Sequence, residues 1–306
     1  MFAELAILIV SLIVLAKASD LVVENSLVLA QFFKVGEAAV GFLLVSVATS
    51  LPELSIAITS LFEKASGVSA GNVFGANVSD VTLVLGVAAL VSTIRLSKHD
   101  AWKATNFLLL AALAPFLLVF FPGFVSTAML LLIFAVYAFL SLKQKSEKLH
   151  EKTSSQKALL AFFFFAFGIA LLIVSADYAV KSAVILASLV GLSATIIGAT
   201  IVSIGTTLPE LMVNLQAVRK KNYSLAIGNT VGSTVVNSTL ILGIASISPS
   251  FAITPAFPML AVLFLSISLL ASWFLHSLEI TKSKALVLIA AFAVFLALSL
   301  SFDVVF

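Results

Sequence analysis

The strongest constraint on this chain is that its unusual residues occur twice, 157 positions apart. Asp20 recurs as Asp177, Gly41 as Gly198, Pro52 as Pro209, Glu53 as Glu210, Gly71 as Gly228, Asn72 as Asn229, Gly75 as Gly232 and Gly86 as Gly243, with no gap between them. A fixed offset of this kind marks a duplication, so whatever unit the first copy folds into must form again in the second.

Composition fixes the solvent in which that unit folds. Of 306 residues, 61% are hydrophobic and 10% charged, whereas about a quarter of a soluble domain is charged. A helix crossing a bilayer needs roughly 20 mostly apolar residues, and ten such runs can be drawn, at 2–31, 36–62, 68–94, 102–121, 124–142, 158–187, 192–218, 222–248, 256–275 and 283–302. The first run has no preceding basic stretch and no small-residue cleavage site, so it reads as a spanning helix, not a cleaved signal. Because five spans per copy is an odd number, the second copy must enter the bilayer from the opposite face. The sequence therefore predicts an all-α integral membrane protein of ten transmembrane helices in two inverted-topology repeats of five. The first repeat is 1–142, the cytoplasmic connecting loop 143–157 and the second repeat 158–306.

Charge supports the count. With both termini outside, the inward loops collect fourteen of the seventeen lysines and arginines, including Lys34, Arg95, Lys98, Lys103, the five lysines from Lys143 to Lys157, Arg219, Lys220, Lys221, Lys282 and Lys284. Short loops rich in Lys and Arg stay on the cytoplasmic side, which makes this a multi-pass protein of the cell membrane. Membrane lipid is its surrounding; the sequence suggests no nucleic-acid ligand and no obligate protein partner. It contains no cysteine, which removes disulfides, thiolate metal sites and cysteine nucleophiles.

Two segments inside the long spans carry the polar chemistry. Val45-Ser46-Val47-Ala48-Thr49-Ser50-Leu51-Pro52-Glu53 is matched by Val202-Ser203-Ile204-Gly205-Thr206-Thr207-Leu208-Pro209-Glu210. An ionised carboxylate at mid-membrane costs on the order of 2.5–3.5 kcal/mol, so Glu53 and Glu210 should face the bundle interior and mark an ion path. Pro52 and Pro209 each remove a helical donor, which predicts a kink and free carbonyls near each glutamate. Ser46, Thr49, Ser50 and Glu53 share one helical sector, as do Ser203, Thr206, Thr207 and Glu210. An all-oxygen set of this kind suits Na⁺ or Ca²⁺ and not zinc or copper. The plainer alternative is that these hydroxyls bond back to their own helix.

The following span of each copy, Gly71 to Asp80 and Gly228 to Asn237, supplies the opposite wall. Gly71 with Gly75, and Gly228 with Gly232, are expected to let helices approach closely. Asn72, Ala76 and Asp80 then share a face, as do Asn229, Ser233 and Asn237, so the site would hold three carboxylates, from Glu53, Asp80 and Glu210. Lys17, Asp20 and Glu24, and Asp177 with Lys181, stand at spacings that predict ion pairs within their own helices; an ion entry path is the alternative. Phe162 to Phe165 are expected to face lipid.

These paired motifs resemble the cation/calcium exchanger superfamily, sodium/calcium exchanger branch of archaeal and bacterial type. Its two repeats carry Gly-Thr-Ser-Leu-Pro-Glu followed by Gly-Asn-x-x-Gly-Ser-Asn. Gly205 to Glu210 and Gly228 to Thr234 follow this pattern closely, and the first copy follows it with Ala48 in place of the glycine. The resemblance implies two inverted five-helix repeats and a calcium site of Glu53, Glu210, Thr49 and Thr206. Flanking sites would use Asp80, Asn237, Ser233 and the carbonyls of Ser46 and Ser203. It also implies exchange of Ca²⁺ for Na⁺ as the inward and outward states interconvert by sliding of the first and sixth spans, with no cofactor. Ala76 departs from the pattern by removing a hydroxyl from one flanking sodium site. Asp80 and Asn237 stand where branches with different coupling ions vary, so H⁺-coupled and K⁺-dependent exchange are the alternatives to Na⁺ coupling. A cation channel would also use intramembrane acids. An intramembrane hydrolase, the enzyme alternative, would need a nucleophile or metal-binding histidine, and His99, His150 and His276 all fall at loop edges.

Overall fold

The computed structural model describes residues 2–35, 37–63, 66–121, 123–143, 154–189, 203–247, 251, 253 and 256–305. The chain is mostly helical. Its elements in order are α1 (Phe2–Phe33), α2 (Glu37–Val40), a π-helical turn (Gly41–Val45), α3 (Ser46–Thr49), α4 (Leu51–Glu63), α5 (Ser66–Ser79), a second π-helical turn (Asp80–Val84) and α6 (Leu85–Val91). After strand β1 (Ile94–Arg95) come α7 (Lys98–Leu113), α8 (Phe116–Phe120), α9 (Phe124–Leu142) and α10 (Ser155–Leu189). The second copy continues with α11 (Ser203–Thr206), α12 (Leu208–Arg219), α13 (Tyr223–Val235), a third π-helical turn (Val236–Ile241), α14 (Leu242–Ala245), α15 (Ala256–His276), β2 (Glu279–Ile280) and α16 (Lys282–Val305).

Among the described residues, seven helical runs are long and apolar enough to cross a membrane, or eight when the bent pair Ala38–Thr49 and Leu51–Ile58 counts as one. The remaining expected runs fall on 192–218, whose first part lies outside the described residues, and on α16. The spans sort by burial. Ala70–Val91 is 83% buried and Tyr223–Ala245 94%, whereas Phe124–Leu142 is 28% buried. The two polar, glycine-bearing spans therefore form the centre, and α1, α9, α10 and α15 show apolar faces outward, with Ile13, Leu132, Phe163 and Trp273 exposed.

Lipid is as apolar as leucine, so helices in a membrane associate through close packing and polar contacts. α1 and α10, the two longest helices, lie against each other. A side chain at Gly168 would meet Val22 Cγ2 at 3.0 Å and Leu21 Cβ at 3.2 Å. On the central helices the approach is closer. A Cβ at Gly41 would stand 2.6 Å from the Leu225 carbonyl oxygen, and one at Gly228 the same 2.6 Å from that of Ala38. Here the expected glycine contact holds, with Gly41 as its counterpart. At Gly71 the described residues put nothing within 4 Å of such a Cβ.

A two-residue antiparallel ribbon, absent from the all-α expectation, joins the copies: Ile94 pairs with Ile280 and Arg95 with Glu279. Leu96 N–H adds a bond to the Leu278 carbonyl at 2.9 Å. Polar contacts flank the ribbon, with Ser224 Oγ donating to Asp100 at 2.8 Å.

The charges on α1 depart from expectation. Asp177 and Lys181 do pair within α10, at 2.7 Å. Asp20 and Glu24 instead reach across to Lys220, at 3.0 and 2.9 Å, and Asp20 also accepts from Gln216. The local sequence explains the geometry. α12 ends in a six-to-one closure, Asn222 N–H to the Ala217 carbonyl at 2.8 Å, with Lys221 in the left-handed region. Asn222 then caps α13 by accepting from Leu225 N–H. This tight reversal holds Lys220 beside α1, and spacing along α1 could not reveal it. Burial lowers the lysine's proton affinity, but hydrogen bonds to Glu24 and Asp20 and their charges outweigh it and hold the ammonium above its usual range. A second correction concerns the phenylalanine run: Phe162, Phe163 and Phe164 are exposed, but Phe165 is buried. His99 and His276 lie at helix ends as expected, and His150 is outside the described residues.

Candidate cation site

Both Leu-Pro-Glu segments break their helices where proline removes a donor. In the first copy α3 stops at Thr49, Ser50 takes φ −81° and ψ 10°, and the two arms bend by 45°. In the second, Thr207 takes φ −91° and ψ 6° between α11 and α12. Leu54 N–H bonds to the Ser50 carbonyl at 3.0 Å and Leu211 N–H to that of Thr207 at 3.0 Å, so the helix restarts immediately. Each restart carries its glutamate in its first turn. π-helical turns, which recur at functional sites, lie beside the breaks. One leads into Ser46, and the other two hold Asp80 and Asn237.

The two copies meet crosswise. Glu53 and Glu210 are within range of each other's charge, and Asp80 is within range of both. The Thr206 hydroxyl is turned toward Glu53, and those of Thr49, Ser50 and Ser233 toward Glu210. Thus each threonine faces the glutamate of the other copy. All three carboxylates are buried to 1% exposure.

Among the described residues, eight buried oxygens of these site residues have no hydrogen bond: Ser50 Oγ, both of Glu53, both of Asp80, Glu210 Oε2, Ser233 Oγ and Asn237 Oδ1. Buried polar atoms are nearly always paired, and isolated buried charge costs several kcal/mol. A cluster made only of unpaired oxygens is an environment that a cation would stabilise. Among the described residues, no three acidic or histidine side chains close up tightly enough to chelate an ion alone. An ion held here must therefore draw on hydroxyls and carbonyls too.

The plainer reading of the hydroxyls is correct for three of them, without excluding the other. Ser46 donates to the Phe42 carbonyl at 2.7 Å, Thr49 to that of Val45 at 3.1 Å and Thr207 to that of Ile204 at 2.9 Å. A hydroxyl has one proton and two lone pairs, so donating backward turns its lone pairs away from its own helix. Ser203 opens α11, and its side chain lies outside the described residues.

Sequence reasoning missed two supports. Tyr137, buried on α9, donates to the Phe42 carbonyl beside the Ser46 hydroxyl and stacks edge-on against Phe107 at 4.9 Å. Position 294, its counterpart, is Val294, so no repeated signal marked it. Tyr137→Phe is expected to cost about 1 kcal/mol, read as a lower melting temperature in detergent; an unchanged value would show that Ser46 alone holds this carbonyl. The second support is Asn214, which donates to Thr230 Oγ1 at 2.6 Å and accepts from Asn229 Nδ2 at 2.9 Å. Its place one turn beyond Glu210, opposite Ala57 in the first copy, is a signal that comparison of the copies could have found.

Known proteins share this fold. The structure superposes on that of the sodium-calcium exchanger NCX_Mj soaked with zero Na⁺ and Ca²⁺, with a TM-score of 0.85 and 26% identity, over 96% of this chain and 98% of that one. The sodium/calcium exchanger MaX1 of Methanosarcina acetivorans is 28% identical over 79% of this chain and 82% of its own length. The uncharacterized membrane protein MJ0091 of Methanocaldococcus jannaschii is 27% identical over 94% of this chain and 95% of its own. The family model described as sodium/calcium exchanger protein matches residues 3–143 and 160–301. On that match, which takes in both Leu-Pro-Glu segments, this multi-pass membrane chain belongs to the sodium/calcium exchanger protein family.

Proposed function

We propose that the protein is a secondary active antiporter that exchanges Ca²⁺ for Na⁺ by alternating access, through a midplane site built from both copies. The observation that carries this reading is the set of buried, unpaired oxygens of Glu53, Asp80, Glu210, Ser50 and Ser233, toward which Thr49 and Thr206 are turned crosswise from the two copies. Shared ligands make occupancy by Ca²⁺ or by monovalent cations mutually exclusive, and mutual exclusion is what couples the two fluxes. The cargo follows from the chemistry of the donors, which are hard oxygens, and from relatives whose names describe sodium/calcium exchangers.

The architecture that goes with it is ten spans in two inverted repeats of five, 1–142 and 158–306, with both termini outside the cell membrane. Element starts support it, since α4 and α12 begin at Leu51 and Leu208 and the π-helical turns hold Asp80 and Asn237, each pair 157 apart. A broken helix in each repeat beside a central site is a transporter arrangement and favours alternating access over a standing pore.

Radiolabelled Ca²⁺ uptake into proteoliposomes tests the proposal. An outward Na⁺ gradient is expected to drive uptake, and outward K⁺ or H⁺ gradients alone are not. Calcium movement with no countercation at all would instead identify a channel, and uptake driven by H⁺ or K⁺ alone would reassign the coupling ion.

A further inference from the structure

We propose that Asn214 is a positioning residue for cation binding: it holds Asn229 so that a carboxamide oxygen, not an amide NH₂, faces Thr49 behind the ion. This rests on the reading of Thr49 as a cation ligand given above. Asn214, Asn229, Thr230 and Thr49 are all buried to 1% exposure or less. They form one chain of hydrogen bonds. Asn214 Nδ2 donates to Thr230 Oγ1 at 2.6 Å, Asn229 Nδ2 donates to Asn214 Oδ1 at 2.9 Å, and Thr49 Oγ1 lies 3.3 Å from Asn229 Oδ1 as its donor. The chain passes from α12 through α13 to α3 and so joins the second copy to the first.

The direction of that chain decides what Thr49 offers an ion. Its single proton has three acceptors behind it: the Val45 carbonyl at 3.1 Å, the Ser46 carbonyl at 3.4 Å and Asn229 Oδ1 at 3.3 Å. With a cation held at Glu210, the proton has these acceptors to turn to, which leaves the lone pairs of the hydroxyl for the ion. If Asn229 turned over, its NH₂ would take one of those lone pairs and put positive charge density beside the cation. Asn214 opposes this, because its oxygen accepts from the NH₂ end of Asn229 while its own NH₂ donates to Thr230 Oγ1, so Asn229 cannot turn over alone without setting two amide oxygens against each other. Among the described residues the first copy shows no such device. Ala57 stands at the position of Asn214, and Asn72, the counterpart of Asn229, has an Nδ2 without a partner. The two copies are therefore unequal: the amide oxygen behind Thr49 is held by Asn214, and Asn72, the counterpart of Asn229, has no such brace.

The test uses the full chain in proteoliposomes, with Ca²⁺ as the probe. Asn214→Leu, which keeps the volume and removes the polarity, is expected to raise the Ca²⁺ concentration for half-maximal uptake by about tenfold, or one decade of binding. The maximal rate at saturating Ca²⁺ should hold within about twofold, since the loss is in binding. Asn214→Ser, whose hydroxyl can still accept from Asn229, is expected to recover most of the loss, and Asn214→Ala replaces the leucine variant if that one fails to fold. Combining Asn214→Leu with Thr49→Val should add nothing to the effect of Thr49→Val, because the asparagine acts through the threonine. Two results would overturn the proposal while leaving the exchanger reading intact. One is an unchanged half-maximal concentration in Asn214→Leu when Thr49→Val raises it; the other is a drop only in maximal rate and melting temperature. An unchanged Thr49→Val would overturn the proposal together with the ligand role on which it rests.

Discussion

Glu53→Gln and Glu210→Gln are each expected to abolish Ca²⁺ uptake without unfolding the protein. Glutamine keeps the shape of the side chain and removes its charge. At 4 Å and an effective dielectric constant of 20, one unit charge pair is worth about 4 kcal/mol, and against a divalent ion the loss of either carboxylate is worth at least about three decades of affinity. Stability should change in the opposite sense. Three carboxylates share this buried space, each within range of another's charge, so removing one relieves repulsion in the ion-free protein. The melting temperature of either variant without ions is expected to equal or exceed that of the parent, and the rise on adding Ca²⁺, which follows from binding to the folded state, is expected to vanish. Uptake retained in either variant would refute a site shared between the two copies.

Gly232→Ala is expected to damage the protein through packing. A Cβ there would lie 2.5 Å from the Phe42 carbonyl oxygen and 2.7 Å from both Cβ and Oγ of Ser46. The carbonyl is poorly placed to move, because it accepts the hydroxyls of Ser46 and Tyr137. Relief must come from separating α13 from the segment that contains Ser46 and Thr49, which stretches the Thr49–Asn229 contact. Overpacking of this kind costs about 1–3 kcal/mol. Both a lower melting temperature and weaker Ca²⁺ binding should be measured. Gly243→Ala provides the contrast: its nearest neighbours are Leu131 side-chain atoms at 3.1 and 3.3 Å, which can give way, so its cost should stay below about 1 kcal/mol. Equal losses in the two variants would argue that the close approach at Gly232 is not special.

The parts of this structure legible in the sequence are those set by local rules or by repetition. The proline-induced breaks at Ser50 and Thr207 follow from a missing donor, and the candidate ligands were found because the same residue types stand at both copies of a motif. What escaped was whatever depends on one copy alone or on distant partners. Asp20 has a basic neighbour, Lys17, three residues away on its own helix, so only the reversal at Lys220 to Asn222 could show that the partner of Asp20 and Glu24 comes from the end of α12. Asn214 and Tyr137 have Ala57 and Val294 as counterparts, so a search for repeated polar residues passes over both, whereas a search for differences between the copies beside the glutamates would stop at Asn214. Phe165 differs from its three neighbours only by the face of α10 on which it lies. The π-helical turns left no composition signal, since Gly41–Val45 reads like any apolar helix.

The burial of the central spans bears on how the chain is made. Among the described residues, Tyr223–Ala245 is the most buried of the seven candidate spans and also the least hydrophobic, and Ala70–Val91 is next in both. A segment leaves the translocation machinery for lipid according to its own apolarity, so these two are the poorest at entering a bilayer unaided, and they bear Asp80, Ser233 and Asn237. The oily helices α1 and α10 head the two copies and are synthesised before them. Biogenesis thus has to keep each of these two helices sheltered at the machinery until earlier helices are present to receive it.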